Sequence, residues 1–333
     1  MVKKHLPHKK NTLILLLLLV VFFSIALFLG RYPETGFMSP RLLFTDSLAR
    51  KLVFNLRLPR LLTSLMLGMT LAGSGMVFQM IFSNPLVEPG FLGVTQGAAF
   101  GAAFAIIFLN PSIWIIQGSA SFFAVTGLGL SYLIAKKIHF GGWIIRLILS
   151  GIAVSAIYSS GIGIMKFAAD PMSQLPEITF WLLGGLWSVT WREFLVIFPI
   201  SALALLVIYL MRWRLNILSL EDETAFSLGI SPRKYRLIFL ISATVATAAL
   251  ISVSGIINWV GLIVPHISRR LFRSDTSSSL PAAMLLGGVF TIFCDTVARI
   301  SFAGEIPLGI ITSMIGAGLF IFLLLNKNIK VQK

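Results

Sequence analysis

A chain of 333 residues that is 57% hydrophobic and only 12% charged has too little polar surface for a soluble fold, in which charged residues average about a quarter. Its composition places it in the membrane class. The formal net charge of +15 does not point to nucleic acid, because the basic residues sit at the ends of apolar runs rather than on one face, as expected of cytoplasmic loops.

Basic residues Lys3, Lys4, Lys9 and Lys10 precede an apolar run at 13–30. The run is longer than a signal-peptide core, and Arg31-Tyr32-Pro33-Glu34 follows in place of a small-residue cleavage site, so the reading is a retained first span behind a cytoplasmic N-terminus at 1–12. A helix needs about 20 apolar residues to cross a bilayer, and its backbone must be satisfied internally. The further spans expected are 61–80, 93–109, 114–134, 144–165, 194–211, 235–253, 257–272, 281–298 and 307–325. The expectation is therefore a single all-α, polytopic membrane domain over 1–333 with about ten transmembrane helices. Gly97 and Gly101 form a small-xxx-small pair suited to close helix approach.

An even number of spans puts both termini on one side. With that side cytoplasmic, roughly 18 Lys and Arg fall inside and about 9 outside, the sign the orientation rule demands. The exception is the outer segment 31–60, with Arg31, Arg41, Arg50, Lys51, Arg57 and Arg60, where a partner-binding role is worth considering. The longest polar stretch, 212–236, reads as a cytoplasmic amphipathic helix. Ser219 is the expected N-cap with Glu221, Asp222 and Glu223 following, and Leu220, Ala225 and Leu228 share an apolar side. Gly229 is the C′ stop and Pro232 lies beyond it, followed by a second short helix into the next span. The competing reading is an ordinary connecting loop.

Chemistry-bearing groups are few. No Gly-x-x-x-x-Gly-Lys-Ser/Thr loop is present. Among His5, His8, His139 and His266, only the first two have metal-ligand spacing, and no nucleophile elbow or Ser-His-acid set is visible, so neither an enzyme site nor a metal site is expected. Cys294 reads as a small buried hydrophobe. Asp295 with Arg299, and Lys166 with Asp170, are spaced to pair at i and i+4. This scarcity of intramembrane charge argues against a proton-coupled carrier, which needs buried acids as a relay. In Asn84-Pro85-Leu86-Val87-Glu88-Pro89-Gly90 the prolines bar helix continuation and Gly90 permits unusual dihedrals. Pro265 is expected to kink its helix, and His266 reads as a structural histidine rather than a ligand.

Several segments, in order, resemble the FecCD-type, cobalamin-permease-like family of ATP-binding-cassette importer permeases for iron-siderophores, haem, cobalamin and related metal complexes. They are Leu56-Arg57-Leu58-Pro59-Arg60; Gln79 through Asn84-Pro85-Leu86 and Glu88-Pro89-Gly90 to Leu92-Gly93-Val94; Gly261-Leu262-Ile263-Val264-Pro265-His266 with Arg269; and Asp295, Ala298-Arg299 and Glu305-Ile306-Pro307-Leu308-Gly309-Ile310. A weaker match is Trp181-Leu182-Leu183-Gly184-Gly185-Leu186. Val87 stands where the family often has alanine, and Thr95-Gln96 replaces a commoner small pair. The resemblance implies ten spans per subunit in the inner membrane, a homodimer or a pair with a paralogue, two ATPase subunits and a periplasmic or lipid-anchored binding protein. No cofactor is implied. It implies that Arg57, Arg60 and Arg299 face outward to meet acids on the binding protein. It also implies that Leu218, Ser219, Leu220, Glu221, Asp222, Ala225, Leu228 and Gly229 belong to a helix coupled to the ATPase. Ferric siderophore is the default cargo, with haem, cobalamin and molybdate or tungstate as alternatives, and a secondary carrier is the remote one.

Overall fold

The computed structural model describes residues 8–109, 111–272, 275–302 and 304–325. Lys3, Lys4, Arg273 and the C-terminal lysines, which count in the charge argument, and His5, considered for metal spacing, lie outside them. Ten long helices account for the expected spans one by one: α1 His8–Phe28, α2 Leu58–Ile81, α3 Val94–Phe108, α4 Ile113–Lys137, α5 Trp143–Ala168, α6 Trp191–Leu210, α7 Pro232–Ser254, α8 Val260–Phe272, α9 Thr276–Ser301 and α10 Leu308–Leu325. Helix α1 begins at His8, inside the segment read as an N-terminal tail.

Among the described residues, seven helices are long and apolar enough to cross a membrane by themselves. The 15 residues of α3 reach only about 22 Å at 1.5 Å per residue, short of a roughly 30 Å hydrocarbon core. The 3-10 turn Pro89–Leu92 leads into α3, and the backbone break between α7 and α8 lies beside it, with Gly255 and Ile257 buried and Asn258 exposed. Such non-helical backbone at depth is tolerated where protein covers it.

Helix α2 is the hub. It packs against α6, α7, α8 and α9, and its central window is 83% buried, against 22% for α10 and 33% for α5. The last two therefore keep long faces for lipid or a second subunit. Helices α3, α4 and α5 form a second group. There a Cβ on Gly97 would lie 2.3 Å from the Phe123 carbonyl and one on Gly101 would lie 2.4 Å from that of Ser119, so this pair sets the α3–α4 distance as its spacing predicts.

Short elements between α1 and α2, and between α5 and α6, differ from the sequence reading. Leu29–Gly30 and Gly36–Phe37 form a two-strand hairpin, Leu29 opposite Phe37. Asp46 caps a helix at Ser47–Lys51 by accepting from the Leu48 N–H at 2.8 Å. A π-helical turn over Leu52–Arg57 joins it to α2, and this widened turn accommodates Pro59, whose missing N–H an α-helix would have used. A further helix, Gln174–Leu183, lies between α5 and α6.

Candidate functional site

Between α6 and α7 lie two short helices, Arg212–Leu218 and Asp222–Ser227; the second falls where the amphipathic helix was expected, and the first precedes it. Ser219 closes the first, its hydroxyl donating back to the Asn216 carbonyl at 2.7 Å. The N-cap of the second is Glu221, without a side-chain cap bond. The helix expected after Pro232 is absent, because Pro232 starts α7 itself, a position where a missing N–H costs nothing. Gly229 adopts the left-handed conformation at φ 80°, and Ile230 N–H bonds the Ala225 carbonyl at 3.1 Å, the C′ stop that its place in the sequence predicts.

The apolar stripe is also redrawn. Leu218 and Ala225 are buried inward, while Leu220 (44% exposed), Phe226 (73%) and Leu228 (58%) face out beside Glu221 and Glu223. Sequence reasoning missed what holds this segment. Arg236, buried in α7, grips Asp222 with both terminal nitrogens at 2.6 and 3.1 Å and reaches the Leu218 carbonyl at 3.5 Å. At the other end Asn216 donates to Asp275 and accepts from the Thr276 N–H at 3.0 Å. Burial pushes the Asp275 carboxyl up, but hydrogen bonds from Asn216, Ser277 and Ser278 outweigh it and hold the group below the usual carboxylate range.

The outer arginines are not where the resemblance placed them. Arg57, Arg60 and Arg299 are all buried, 7 to 9% exposed. Arg60 bridges two acids, its Nε 2.9 Å from Asp295 and its Nη1 2.8 Å from Glu305. Arg57 donates to the carbonyls of Leu27 and Phe28 at 3.2 and 3.4 Å, and Arg299 to that of Ala26 at 2.8 Å. The cause is plain. The last carbonyls of α1 lack intrahelical partners, and cations there also complement the helix dipole. The i, i+4 expectation for Asp295 and Arg299 is thus corrected, since Asp295 pairs with an arginine 235 positions away. Asp170 likewise accepts from the Ser173 N–H and hydroxyl, not from Lys166. The cations that do face out are Arg31, Arg41, Arg50 and Lys51. This segment is braced by the Tyr32 hydroxyl donating to Asp46, which together with the Leu48 N–H holds the Asp46 carboxyl below its ordinary range.

The remaining motif residues interlock with one another. Pro265, inside α8, offers no N–H to the Gly261 carbonyl. The Gln79 side-chain amide of α2 supplies the missing donor, 3.3 Å from Gly261 O and 3.1 Å from Leu262 O, while its oxygen accepts from Arg269 at 2.5 Å. Three motif elements are therefore one device. Gln79→Ala orphans a buried carbonyl and frees Arg269, so we expect about 1–3 kcal/mol lower stability, read as a lower midpoint in thermal unfolding of the detergent-solubilised permease.

Asn84 shapes its loop by accepting from the Leu86 N–H at 2.9 Å, with Pro85 and Leu86 exposed at the tip. The left-handed glycine here is Gly93, at φ 79°, and not Gly90. Gly93 turns the chain into α3, whereas Gly90 sits against the Thr95 hydroxyl. At the other edge, Gly184, Gly255 and Gly309 meet: a Cβ on each would come 2.3 Å from a neighbouring backbone carbonyl, of Ile256, Trp181 and Leu183 respectively. Gly185 N–H bonds the Ser254 carbonyl at 2.7 Å, and Pro307 opens α10. The helix Gln174–Leu183, the α7–α8 break and α10 are thereby joined. His266 is half-buried, and among the described residues no group of three His, Cys, Asp or Glu could hold a metal ion.

A ten-helix bundle with buried backbone breaks and a two-helix handle at one end is the architecture of an ATP-binding-cassette importer permease, a transport component rather than an enzyme. The chain belongs to the FecCD transport family, whose model matches residues 16–326. It is 38% identical over 315 residues to the molybdate import system permease protein MolB of Haemophilus influenzae, covering 92% of each chain. It is 33% identical over 320 residues to the Fe(3+) dicitrate transport system permease protein FecC of Escherichia coli K12, covering 93% of this chain and 95% of that one. A solved metal-chelate type ABC transporter, captured in an inward-facing conformation, superposes with a TM-score of 0.88 at 37% identity, over 95% of this chain and 99% of that one.

Proposed function

We propose that two copies of this chain, or one with a paralogue, form the path through which a ferric chelate enters the cell, driven by two separate ATPase subunits and supplied by a binding protein. Both termini and the 212–236 segment face the cytoplasm. The observation that carries this reading is the handle: Leu220, Phe226 and Leu228 project from a segment whose base is clamped by Arg236. An apolar patch held rigidly in water marks a docking surface, and in this class the docked partner is the ATPase. Nucleotide binding then moves the handle and biases one gate state. The long faces of α5 and α10 face the dimer axis, and the small exposed residues Ala153, Ala156, Ser159, Ser160 and Gly163 of α5 offer cargo a surface without strong hold.

Capture of the binding protein falls to the exposed rim of Arg31, Arg41, Arg50 and Lys51, with Arg57, Arg60 and Arg299 fixing that rim from beneath. Reversing Arg41, Arg50 and Lys51 to glutamate is expected to slow association with the binding protein about tenfold or more at low salt, with a weaker effect at high salt; surface-immobilised binding at two salt concentrations reads it. A second cargo, molybdate, is favoured by the likeness to the Haemophilus influenzae protein of that name. Competition of ferric chelate and molybdate for the cognate binding protein, followed by uptake of whichever is retained, decides between them.

A further inference from the structure

The turn that carries the chain from α2 into α3 forms one wall of a niche beside the exposed face of α5. Gly93 starts α3 at Val94, which puts Thr95 and Gln96 in the first turn of that helix. The turn is fixed from behind. The Ser131 hydroxyl of α4 donates to the Leu92 carbonyl at 3.0 Å, and a Cβ on Gly151 of α5 would lie 2.6 Å from the Phe91 carbonyl. Between this turn, α5 and the α7–α8 break lies a cavity of about 300 Å³, lined by the side chains of Glu88, Thr95, Gln96, Ser155 and Asn258. Phe91 and Ile152, both exposed, add an apolar wall.

Ser155 stands 12 positions after Trp143, the first of the 26 residues of α5, so about 18 Å along a helix about 39 Å long. The niche is therefore near mid-depth, where polar side chains are costly unless they serve a water-filled path or a ligand. Among the described residues, the side chains of Thr95, Gln96, Ser155 and Asn258 make no hydrogen bond to the rest of the chain. Convergent polar groups left open in a concave site mark a ligand surface. Their chemistry is selective. Carboxyl, carboxamide and hydroxyl groups supply both acceptors and donors, and none of the lining residues is a cation. An oxyanion, which is all acceptor, meets the Glu88 carboxyl with no cation to offset it. A bare cation needs oxygen ligands closed to about 2.0–2.6 Å, a far tighter cage than this space. A chelate with amides or hydroxyls on its outside finds partners of both kinds and room to enter by one face.

We propose that this niche is a cargo subsite, and that it takes one face of a metal chelate bearing neutral hydrogen-bonding groups in preference to an oxyanion. Its place on the transport path rests on the permease reading; its occupancy by a chelate does not. Each hydrogen bond made here replaces one made to water, so the net hold is modest, and cargo is passed on rather than trapped.

The test uses the permease assembled with its ATPase subunits in lipid nanodiscs, without the binding protein. Cys294 is the one cysteine in the sequence and is buried, so a thiol introduced at Ser155 reports on the niche. In S155C, alkylation by a water-soluble maleimide is expected to slow about fivefold or more in an excess of a ferric trihydroxamate bearing free amide N–H groups, and by less than about twofold in molybdate at the same concentration. In G163C, two turns further along α5 and about 12 Å away, neither probe changes the rate. Adding Q96A and N258A to S155C is expected to bring the protection below about twofold; these side chains bond nothing else, so their loss spares the fold. E88A is expected to act in the same way, and if it does not assemble the Gln96 and Asn258 result decides. Absence of protection in S155C, or protection that survives Q96A with N258A, overturns the subsite. Equal slowing in G163C does so too, because it reports a filled path rather than an occupied niche. Molybdate protecting as well as the chelate overturns the selectivity. A complete assembly, binding protein included, that moves neither ferric chelate nor molybdate contradicts the permease reading instead, and the protection result still decides the niche.

Discussion

Arg60→Ala is expected to lower the stability of the permease by about 3–5 kcal/mol, because it leaves the fully buried Asp295 carboxylate without its partner. Thermal unfolding in detergent should show the loss directly. Arg60→Lys should recover part of it only, since one ammonium cannot reproduce the fork that reaches Asp295 through Nε and Glu305 through Nη1. Arg60→Met combined with Asp295→Asn removes the orphan charge and should stand closer to the parent than Arg60→Ala alone, a non-additivity that marks direct coupling. An arginine whose work is to meet a binding protein behaves oppositely: its loss spares the fold and weakens capture. An unchanged unfolding midpoint in Arg60→Ala would therefore return Arg60 to the docking surface.

The second large effect belongs to the handle. Arg236→Ala removes the clamp from both short helices and is expected to reduce ATP-driven uptake about tenfold or more, read in vesicles holding the assembled transporter. Asp222→Ala should reduce uptake by a similar factor and also lower stability by about 1–3 kcal/mol, because it leaves the Arg236 guanidinium, only 8% exposed, without its carboxylate partner. The double variant should be no worse than Arg236→Ala, since both remove one contact. Uptake at the parent's rate in all three would mean that the handle is positioned by something other than this pair.

These expectations separate what was legible in the sequence from what was not. The spans were legible because lipid demands a long apolar run for each crossing, and α2, α4, α5, α6, α7, α9 and α10 obey that demand. The Gly97 and Gly101 contact and the Gly229 stop were legible because backbone geometry fixes them locally. The helix Gln174–Leu183 was not, since its ten residues are too few to register as a crossing and its anchors, Gly255 and Gly309, are distant in the chain. Ion pairing failed for the same reason. Local spacing offered Arg299 to Asp295, while folding brought Arg60 instead, and the carbonyls left over at the end of α1 claimed Arg57 and Arg299. Two motif acids, Asp295 and Glu305, near three motif arginines were a signal that these arginines are consumed internally. In the handle, period alone put Ala225 and Leu228 on one side; the clamp from Arg236, fourteen residues after Asp222, turned Ala225 inward and left Phe226 exposed.

The central claim is that an external motor acting through the 212–236 handle drives this bundle. Its most direct measurement is cargo uptake by sealed vesicles containing the purified chain, with and without the ATPase subunits and binding protein. ATP-dependent accumulation only in the complete assembly, abolished by deleting 220–229, is the predicted result. Accumulation by the chain alone under a proton gradient, or uptake that survives the deletion, would contradict it.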